Sequence, residues 1–415
     1  MIQLPVSPEE IRALAQGMCG DLIRWRRDFH QYPELSHQEE RTARVVASQL
    51  MALGLEVRTG LSGHGVLGVL RGRRSGRVVA YRADMDALPL GEQVDVPWRS
   101  QVPGVMHACG HDFHLSIALG TARLLSHLQD RLAGEFRFIF QPAEEGPQEG
   151  GLSGAQGLVA AGVLDNPPVA AIFALHVAPN LEVGHFWYSP EVVMAGSEHL
   201  LLTVTGKAVH GATPHRGVDA ILVSAQVIHH IQAFLAQGID ARLPVVLTFG
   251  RICGGSRFNI LAEQVVMEGS LRYLQETARD HTLNGLRRLL GGLSQASGAR
   301  LDLQARTIYP ILKNDAALSP LAVEVLCRVL GANRLLLHQP AMGSEDFAFF
   351  AQKAPAFYFF LGVRSPGSPG HSLHSPEFDP DEAALPWGVQ AAAALLMALS
   401  EPETPWEVKR TAKNS

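Results

Sequence analysis

The chain has few cysteines and no surplus of positive charge, and each of these absences excludes a class of protein. Its 415 residues include four cysteines, which lie far apart, at Cys19, Cys109, Cys253 and Cys327. A chain of this size with so few, widely spaced cysteines is not expected to depend on a disulfide framework. The formal net charge of −5 argues against nucleic acid or an anionic membrane as the main partner.

The sequence also gives little sign of a membrane segment. No apolar run is expected to reach the roughly 20 residues that cross a bilayer, and Met1–Glu10 has no basic region followed by an apolar one. We therefore expect a cytoplasmic protein. Hydrophobic residues make up 47% of the chain and charged residues 18%, as in folded globular proteins. Because 415 residues exceed one ordinary core, the prediction is two domains.

Short strand-like runs alternate with helical patterns in the first part of the chain. Helices are predicted after the N-capping Ser7, near Gln38 and near Phe113. The predicted strands are Gly65–Leu70, Arg77–Tyr81, Glu135–Phe140 and Val169–Leu175, and the same style returns after Pro310 with Ala356–Leu361 and a helix near Asp381–Ser400. Strands separated by helices predict an α/β fold, with a mixed, mostly parallel sheet flanked by helices.

Residues 195–308 have a different order of elements. The predicted strands and helices follow one another as Leu200–Thr205, Ala220–Ala236, Val245–Ile252, Val265–Tyr273, Thr277–Ala296 and Leu301–Thr307. This β-α-β-β-α-β order is typical of a ferredoxin-like α+β sandwich. We predict an α/β domain of residues 1–194 and 309–400, an inserted domain of residues 195–308, and a polar tail of residues 401–415 that frays.

Side chains that bind metals or transfer protons follow three of the predicted strands. One strand runs into Asp84 and Asp86, another into Glu144 and Glu145, and a third ends at His176. Ligands bind at the carboxyl ends of the strands in open α/β sheets. We therefore expect these residues to converge on one site.

Cys109 and His111 lie two residues apart in Met106–His114, just before a predicted helix. Both side chains can face one ion across Gly110, and a thiolate and an imidazole suit zinc and similar metals. The alternative is a buried structural thiol beside histidines that cap the helix, since free cysteine often behaves as a small hydrophobe. The three histidines and one aspartate around Cys109 favour the metal site.

Glu144 and Glu145 are adjacent carboxylates that follow Pro142 at the end of a predicted strand. Dinuclear hydrolases use such a pair, in which one glutamate binds metal and the other takes a proton from water. The alternative is a solvated loop, because acidic residues are mostly exposed.

Five segments spread over most of the chain resemble motifs of one enzyme family. They are Arg27–Leu35, Tyr81–Leu90, His107–His114, Phe140–Gly146 and Gly343–Phe347. Together they are similar to the aminoacylase and auxin-conjugate (hippurate-type) amidohydrolase branch of the dinuclear metallopeptidases. The resemblance implies a metal-dependent amidohydrolase that cleaves N-acyl or N-aroyl amino acids to a carboxylic acid and a free amino acid.

The same resemblance implies a role for each site residue. Two divalent ions, zinc or manganese with cobalt or nickel as alternatives, would be bound by Cys109, His111, Glu145, His176 and His374. Glu144 would be the general base, and Asp86 would orient a ligand. His210 would help to hold the oxyanion, and Asn259 and Arg272 would bind the substrate carboxylate. The alternative for His210 and Arg272 is ordinary surface polarity.

The resemblance further implies that the inserted domain is a lid and dimerisation domain and that the chain forms a homodimer. The expected partner is a small-molecule N-acyl amino acid. Two departures from the family pattern stand out. The loop Gly146–Ser153 is longer than usual, and Gly211 follows His210 where alanine is more common.

Three alternatives stay open. The first is a dipeptidase or carboxypeptidase of the same family. The second is a thiol hydrolase with Cys109 as nucleophile and His107 or His111 as base. The third is a metal-containing binding protein without turnover, against which the Glu144–Glu145 pair counts. Aromatic, indolic and aliphatic acyl groups all fit these residues.

Overall fold

The computed structural model describes residues 4–146 and 151–404. Residues 147–150 of the long loop and residues 405–415 of the predicted tail lie outside the described residues. The helices of the described chain are α1 (Pro8–Gly17), α2 (Cys19–Gln31), α3 (Glu40–Ala52), α4 (His111–His127), α5 (Gly154–Ala160), α6 (Ala220–Gly238), α7 (Glu276–Ser297), α8 (Leu318–Leu330), α9 (Ala348–Ala351) and α10 (Leu385–Ser400).

The strands are likewise numbered in chain order. They are β1 (Glu56–Leu61), β2 (Gly65–Arg71), β3 (Arg74–Asp84), β4 (Ala133–Gln141), β5 (Ala171–Glu182), β6 (Phe186–Tyr188), β7 (Val192–Met194), β8 (Gly196–Thr205), β9 (Val245–Gly254), β10 (Gln264–Tyr273), β11 (Arg300–Tyr309), β12 (Leu312–Lys313), β13 (Leu335–Leu337) and β14 (Ala356–Arg364).

The larger sheet has eight strands in the order β1-β2-β4-β3-β5-β14-β6-β13. Its four central strands, β4, β3, β5 and β14, run parallel to one another. Antiparallel pairs flank them, formed by β1 and β2 on one side and by β6 on the other. This arrangement confirms the predicted α/β fold with a mixed, mostly parallel sheet.

Helices cover this sheet, and its central strands are buried over much of their length. Helices α4 and α10 contact β3 and each other, and nearly every residue of both helices is buried. A strand with both faces covered has no solvent-facing positions, so it is a continuous apolar run rather than an alternating one. In β5, for example, residues 171–178 are all buried.

The smaller sheet has four antiparallel strands in the order β11-β8-β10-β9. Helices α6 and α7 pack on it and on each other. Strand β8 alternates as a half-buried strand must, with Leu200, Leu202 and Val204 inside. The order of elements along this part of the chain is the predicted β-α-β-β-α-β order, which confirms the inserted α+β fold.

Contacts divide the chain into two compact units. The first unit comprises the described residues of Met1–Val193, Lys313–Gln339 and Asp346–Ser415, and the second comprises Met194–Leu312 and Pro340–Glu345. The short second segment joins this unit because the Ala195 N–H donates to the carbonyl oxygens of Ala341 and Gly343, at 3.0 and 2.8 Å. The assignment of domain boundaries and of catalytic and lid roles stays a prediction.

Two helical segments, Ala220–Gly238 and Glu382–Ser400, are long and apolar enough to cross a membrane. The expectation that no apolar run reaches this length is therefore wrong. In Glu382–Ser400 the apolar window is 83% buried inside the protein, so packing in the core accounts for its composition. In Ala220–Gly238 the buried share is 28%, and this helix packs one face on the smaller sheet.

Candidate metal centre

Strand β5 does not end at His176 as predicted, but continues to Glu182. It continues because Val177 and Ala178 pair with β14. Strand β3 pairs with β5 only as far as Arg82 and Ala174. His176 therefore lies two residues beyond the last β3–β5 pair, level with the end of β3. The predicted convergence at this edge of the sheet results from where β3 ends, not from where β5 ends.

The turn at Gly110 places Cys109 and His111 beside this edge. Gly110 has a φ of +81°, which favours glycine. A Cβ at this position would also lie 2.4 Å from Cγ2 of Val177, too close for any other residue. The turn puts His111 at the first residue of α4, and Cys109 Sγ lies 3.5 Å from His176 Nε2.

The predicted ligand residues lie in overlapping groups. The ligand atoms of Cys109, His111 and His176 lie within 4.8 Å of one another, and so do those of Cys109, Glu145 and His374. Cys109 belongs to both groups, so its thiolate could serve as a ligand in either one. All five predicted ligand residues are thus brought together in the first unit.

The donor atoms fit a divalent ion. The Nδ1 of His111 lies 2.8 Å from the carbonyl oxygen of Asp86, and the Nδ1 of His176 lies 2.9 Å from that of Val177. A carbonyl oxygen only accepts, so each Nδ1 carries a proton and Nε2 is the nitrogen of each ring left to bind a cation. The buried Nε2 of His111 and Oε1 of Glu145 have no hydrogen-bond partner among the described residues. A bound cation would compensate both atoms.

Asp86 supports two of these residues. Its Oδ2 accepts hydrogen bonds from Ser36 Oγ at 2.6 Å and from the Glu145 N–H at 3.0 Å. Its Oδ1 lies 3.3 Å from Nδ1 of His111. A carboxylate with these contacts would orient His111 and Glu145 if they bound a metal.

His374 approaches the same group from a separate loop. Its N–H donates to the carbonyl oxygen of Ala108 at 2.9 Å, which fixes the loop beside Cys109. The Nε2 of His374 lies 3.5 Å from Oε1 of Glu145. The His374 side chain is 56% exposed, so it lies on the open side of the site.

Asp84 and His114 form a further candidate group with His111, but both side chains already have partners. His114 Nδ1 lies 2.5 Å from Asp84 Oδ1, and Arg82 donates to Asp84 Oδ2 at 2.6 Å. His114 Nε2 accepts the Val177 N–H at 3.0 Å. These residues therefore support β5 beside His176. The sequence places His114 one helical turn after His111, and this spacing alone does not separate a support from a ligand.

The second unit contains three further predicted residues and brings two of them together. His210 forms an isolated bridge with Ile260, and the Gly211 N–H donates to the carbonyl oxygen of Asn259 at 2.8 Å. His210 Nδ1 accepts the Ala212 N–H at 3.1 Å, so its Nε2 carries the proton and is an exposed donor. Arg272 is half-buried on β10 and donates from one guanidinium nitrogen to Ser344 Oγ.

The environment of Cys109 opposes the thiol-hydrolase alternative. Burial, followed by the charges of Glu145 and Glu144, raises the pKa of the Cys109 thiol well above its usual range in the metal-free protein. A nucleophilic cysteine needs a lowered pKa instead. Burial also lowers the pKa of His107 to about 4, which makes this histidine a weak base. A bound cation would stabilise the Cys109 thiolate directly.

Glu39 is a buried carboxyl beside the site that the sequence did not single out. Its Oε1 accepts the N–H of Ala143 at 2.8 Å, one residue before Glu144. Burial, and then the neighbouring charge of Asp86, raises the pKa of Glu39 from 4.5 to about 7.

This raised pKa predicts how stability depends on pH. A carboxyl with a higher pKa in the folded state stabilises the fold while protonated, fully so below the unfolded value of 4.5, and loses that contribution as the pH rises through 7. Between pH 4.5 and 8 we expect the wild type, with chelator present, to lose up to about 3 kcal/mol relative to Glu39→Gln. Urea unfolding followed by tryptophan fluorescence measures this difference, and a difference that is constant with pH would contradict the assignment.

Comparisons with known proteins agree with this geometry. The model of the family described as Peptidase family M20/M25/M40 matches residues 80–398. A thermostable carboxypeptidase 2 of Saccharolobus solfataricus is 37% identical over 91% of this chain and 95% of its own length. An N-acetylcysteine deacetylase of Bacillus subtilis is 35% identical over 92% and 97%.

A solved structure extends the likeness to three dimensions. The Bacillus subtilis YXEP protein, described as a dinuclear metal-binding peptidase of the M20 family, has a TM-score of 0.81 and 34% identity over 93% of this chain and 99% of its own. The chain therefore belongs to peptidase family M20/M25/M40, and it is a hydrolase that acts on amide bonds. This confirms the resemblance found in the sequence motifs.

Proposed function

We propose that the protein is a metal-dependent amidohydrolase that cleaves N-acyl amino acids. In this proposal two divalent ions are bound by Cys109, His111, Glu145, His176 and His374. The observation that carries it is the position of Cys109 in two groups of ligand atoms, beside the buried carboxylate of Glu144.

The proposed chemistry depends on one proton transfer. When bound, the divalent ions lower the pKa of a water molecule and polarise the scissile carbonyl. The carboxylate of Glu144 lies within 4.8 Å of ligand atoms of His111 and Glu145, close enough to accept a proton from that water. The water oxygen forms a bond to the carbonyl carbon, and Glu144 then passes the proton to the amide nitrogen as the C–N bond breaks. The products are a carboxylic acid and a free amino acid.

Residues of the second unit would recognise the substrate. The exposed Nε2–H of His210 is suited to hydrogen-bond the oxyanion. Arg272 has the planar donors that bind a carboxylate, and the side chain of Asn259 adds further donors. We extend the proposal to the second unit as lid and dimerisation domain, to a homodimer, and to a cytoplasmic location. The lid and dimerisation roles and the homodimer rest on the family resemblance.

A carboxypeptidase or dipeptidase is the second candidate. It is favoured by the 37% identity with a relative named as a carboxypeptidase. Both candidates cleave an amide bond next to a free carboxylate, so the same ligands and the same base would serve either one. The two differ in the acyl side of the substrate, which is either a simple acyl group or an amino acid.

Hydrolysis of a substrate panel, before and after chelation, tests the proposal. The panel contains N-acetyl, N-benzoyl and indole-acetyl amino acids and dipeptides. We expect chelation to lower turnover by at least about 100-fold, since metal assistance contributes several kcal/mol. Adding zinc or manganese should restore turnover.

Three other outcomes of this experiment would each favour an alternative function. Faster turnover of dipeptides than of every acyl amino acid would favour the carboxypeptidase. Activity that survives chelation but is lost on alkylation of Cys109 would favour the thiol hydrolase. Bound metal, measured by native mass spectrometry, without turnover of any substrate would favour a binding protein.

A further inference from the structure

The segment Ser36–Glu39 contacts the turn that carries the Glu144–Glu145 pair. It follows the motif Arg27–Leu35, to which the proposed mechanism gives no role. Glu39 Oε1 accepts the N–H groups of Ala143, at 2.8 Å, and of His37, at 3.0 Å. The turn is therefore held just before Glu144 by a side chain 104 residues earlier in the chain.

The same segment reaches the turn at two further points. Ser36 Oγ donates to Asp86 Oδ2 at 2.6 Å, and that oxygen also accepts the Glu145 N–H at 3.0 Å. His37 Nε2 lies 3.1 Å from the carbonyl oxygen of Gly146. The backbone on both sides of Glu144 is thus fixed by Ser36, His37 and Glu39.

The turn needs such external support because of its backbone conformation. Ala143 has a φ of +50°, a left-handed conformation that is disfavoured for a residue with a Cβ. The Ala143 N–H points to Glu39 rather than into a regular strand ladder. Without an acceptor there, the turn would lose a buried hydrogen bond and relax towards an ordinary φ.

The supporting segment is itself anchored by the preceding motif. The Glu34 carboxylate accepts the N–H groups of Arg41 and Thr42, at 2.9 and 2.8 Å, and so caps the start of α3. The Glu34 carbonyl accepts the Ala87 N–H at 2.8 Å. Residues 34–39 therefore link α3 to the residue after Asp86.

The burial of the Glu39 carboxyl is not explained by its contribution to the stability of the fold. Glu39 is fully buried, and its Oε2 has no hydrogen-bond partner among the described residues. Burying a carboxyl with one oxygen unsatisfied is unfavourable, and the contacts that offset this cost are the two N–H groups that Oε1 accepts. These two contacts point to a role in placing the turn.

We propose that Glu39 is a positioning residue that accepts the Ala143 N–H and thereby aims Glu144 and Glu145. This proposal rests on the proposed function. Glutamine at position 39 keeps an oxygen that accepts both N–H groups, whereas leucine and alanine offer none. The two kinds of variant therefore separate hydrogen bonding from simple filling of space.

The test compares Glu39→Gln, Glu39→Leu and Glu39→Ala with Gln38→Leu as the control. Gln38 is the adjacent residue and its side chain is exposed. We expect Glu39→Gln and the control to keep kcat within threefold of the wild type. Glu39→Leu and Glu39→Ala should lower kcat at least 30-fold while KM changes less than threefold. The affinity for zinc, measured by competition with a chelating dye, should fall about tenfold in the same two variants, because Glu145 is no longer held.

Three outcomes would overturn the proposal. The first is a kcat within threefold of the wild type in Glu39→Leu, or in Glu39→Ala if the leucine variant does not fold. The second is a Glu39→Gln variant as impaired as the alanine variant. The third is zinc affinity unchanged in all variants. If the wild type hydrolysed no substrate, the proposed function would fail, and the zinc affinities would still test Glu39.

Discussion

Replacement of Glu144 by glutamine is expected to lower kcat by about 10³-fold and to leave two ions bound. Glutamine has nearly the same shape but cannot accept a proton at neutral pH, so the water and the leaving amine lose their proton carrier. The ligands proposed for the ions are untouched by this substitution. Metal content by native mass spectrometry and turnover of the best panel substrate together measure the effect.

The neighbouring residue provides the matched control. Glu145→Gln removes a proposed ligand, so it should lower metal content as well as turnover. A further group of ligand atoms contains His111, Glu144 and Glu145, and this makes the contrast between the two glutamates informative. Near-normal turnover in Glu144→Gln would refute the general-base role, and loss of an ion from it would make Glu144 a ligand instead.

The main elements of the fold followed from periodicity and turn residues, and the missed elements have a physical explanation. Helix α2 was not predicted, although Leu22, Trp25 and Phe29 form its buried stripe. Arg26 and His30 interrupt that stripe and are also buried. Both contact Asp112, more than 80 residues away, and a local pattern contains no information on such a partner.

The end of β5 was misplaced for a similar reason. The predicted strand stops at His176, and Pro179 and Asn180, a few residues later, are of types disfavoured in strands. Pairing of Val177 and Ala178 with β14 overrides this local preference. Register with a strand some 180 residues later is a tertiary property, and propensity does not contain it.

The same difference between local sequence pattern and tertiary contact applies to the candidate site. The residues proposed as ligands carry distinctive chemistry at strand ends or in short motifs, so their grouping was predictable. Glu39 and Ser36 carry no such signal, because a glutamate at the start of a helix is normally a solvated residue. Their roles depend on Ala143 and Asp86, which are distant in sequence. Residues that position a site are therefore harder to predict from sequence than residues that bind its ligand.

Substitution of Cys109 gives the second large effect and separates two mechanisms. Cys109→Ala removes the one side chain shared by both groups of ligand atoms. We expect it to lower metal content below two ions per chain and turnover by on the order of 10³-fold or more, since metal assistance contributes several kcal/mol and each 1.36 kcal/mol is a factor of ten. Alone, this loss would also fit a cysteine nucleophile.

Cys109→Asp distinguishes the two mechanisms, because a carboxylate can bridge two divalent ions but cannot replace a thiolate nucleophile in the same step. If the thiolate serves as a ligand, the aspartate variant should bind two ions again and recover turnover at least tenfold above the alanine variant, with manganese favoured because oxygen ligands suit it. Turnover and metal content of the three proteins, measured in zinc and in manganese, give the comparison. If the aspartate variant binds two ions and is as inactive as the alanine variant, the result would support the Cys109 sulfur as the nucleophile.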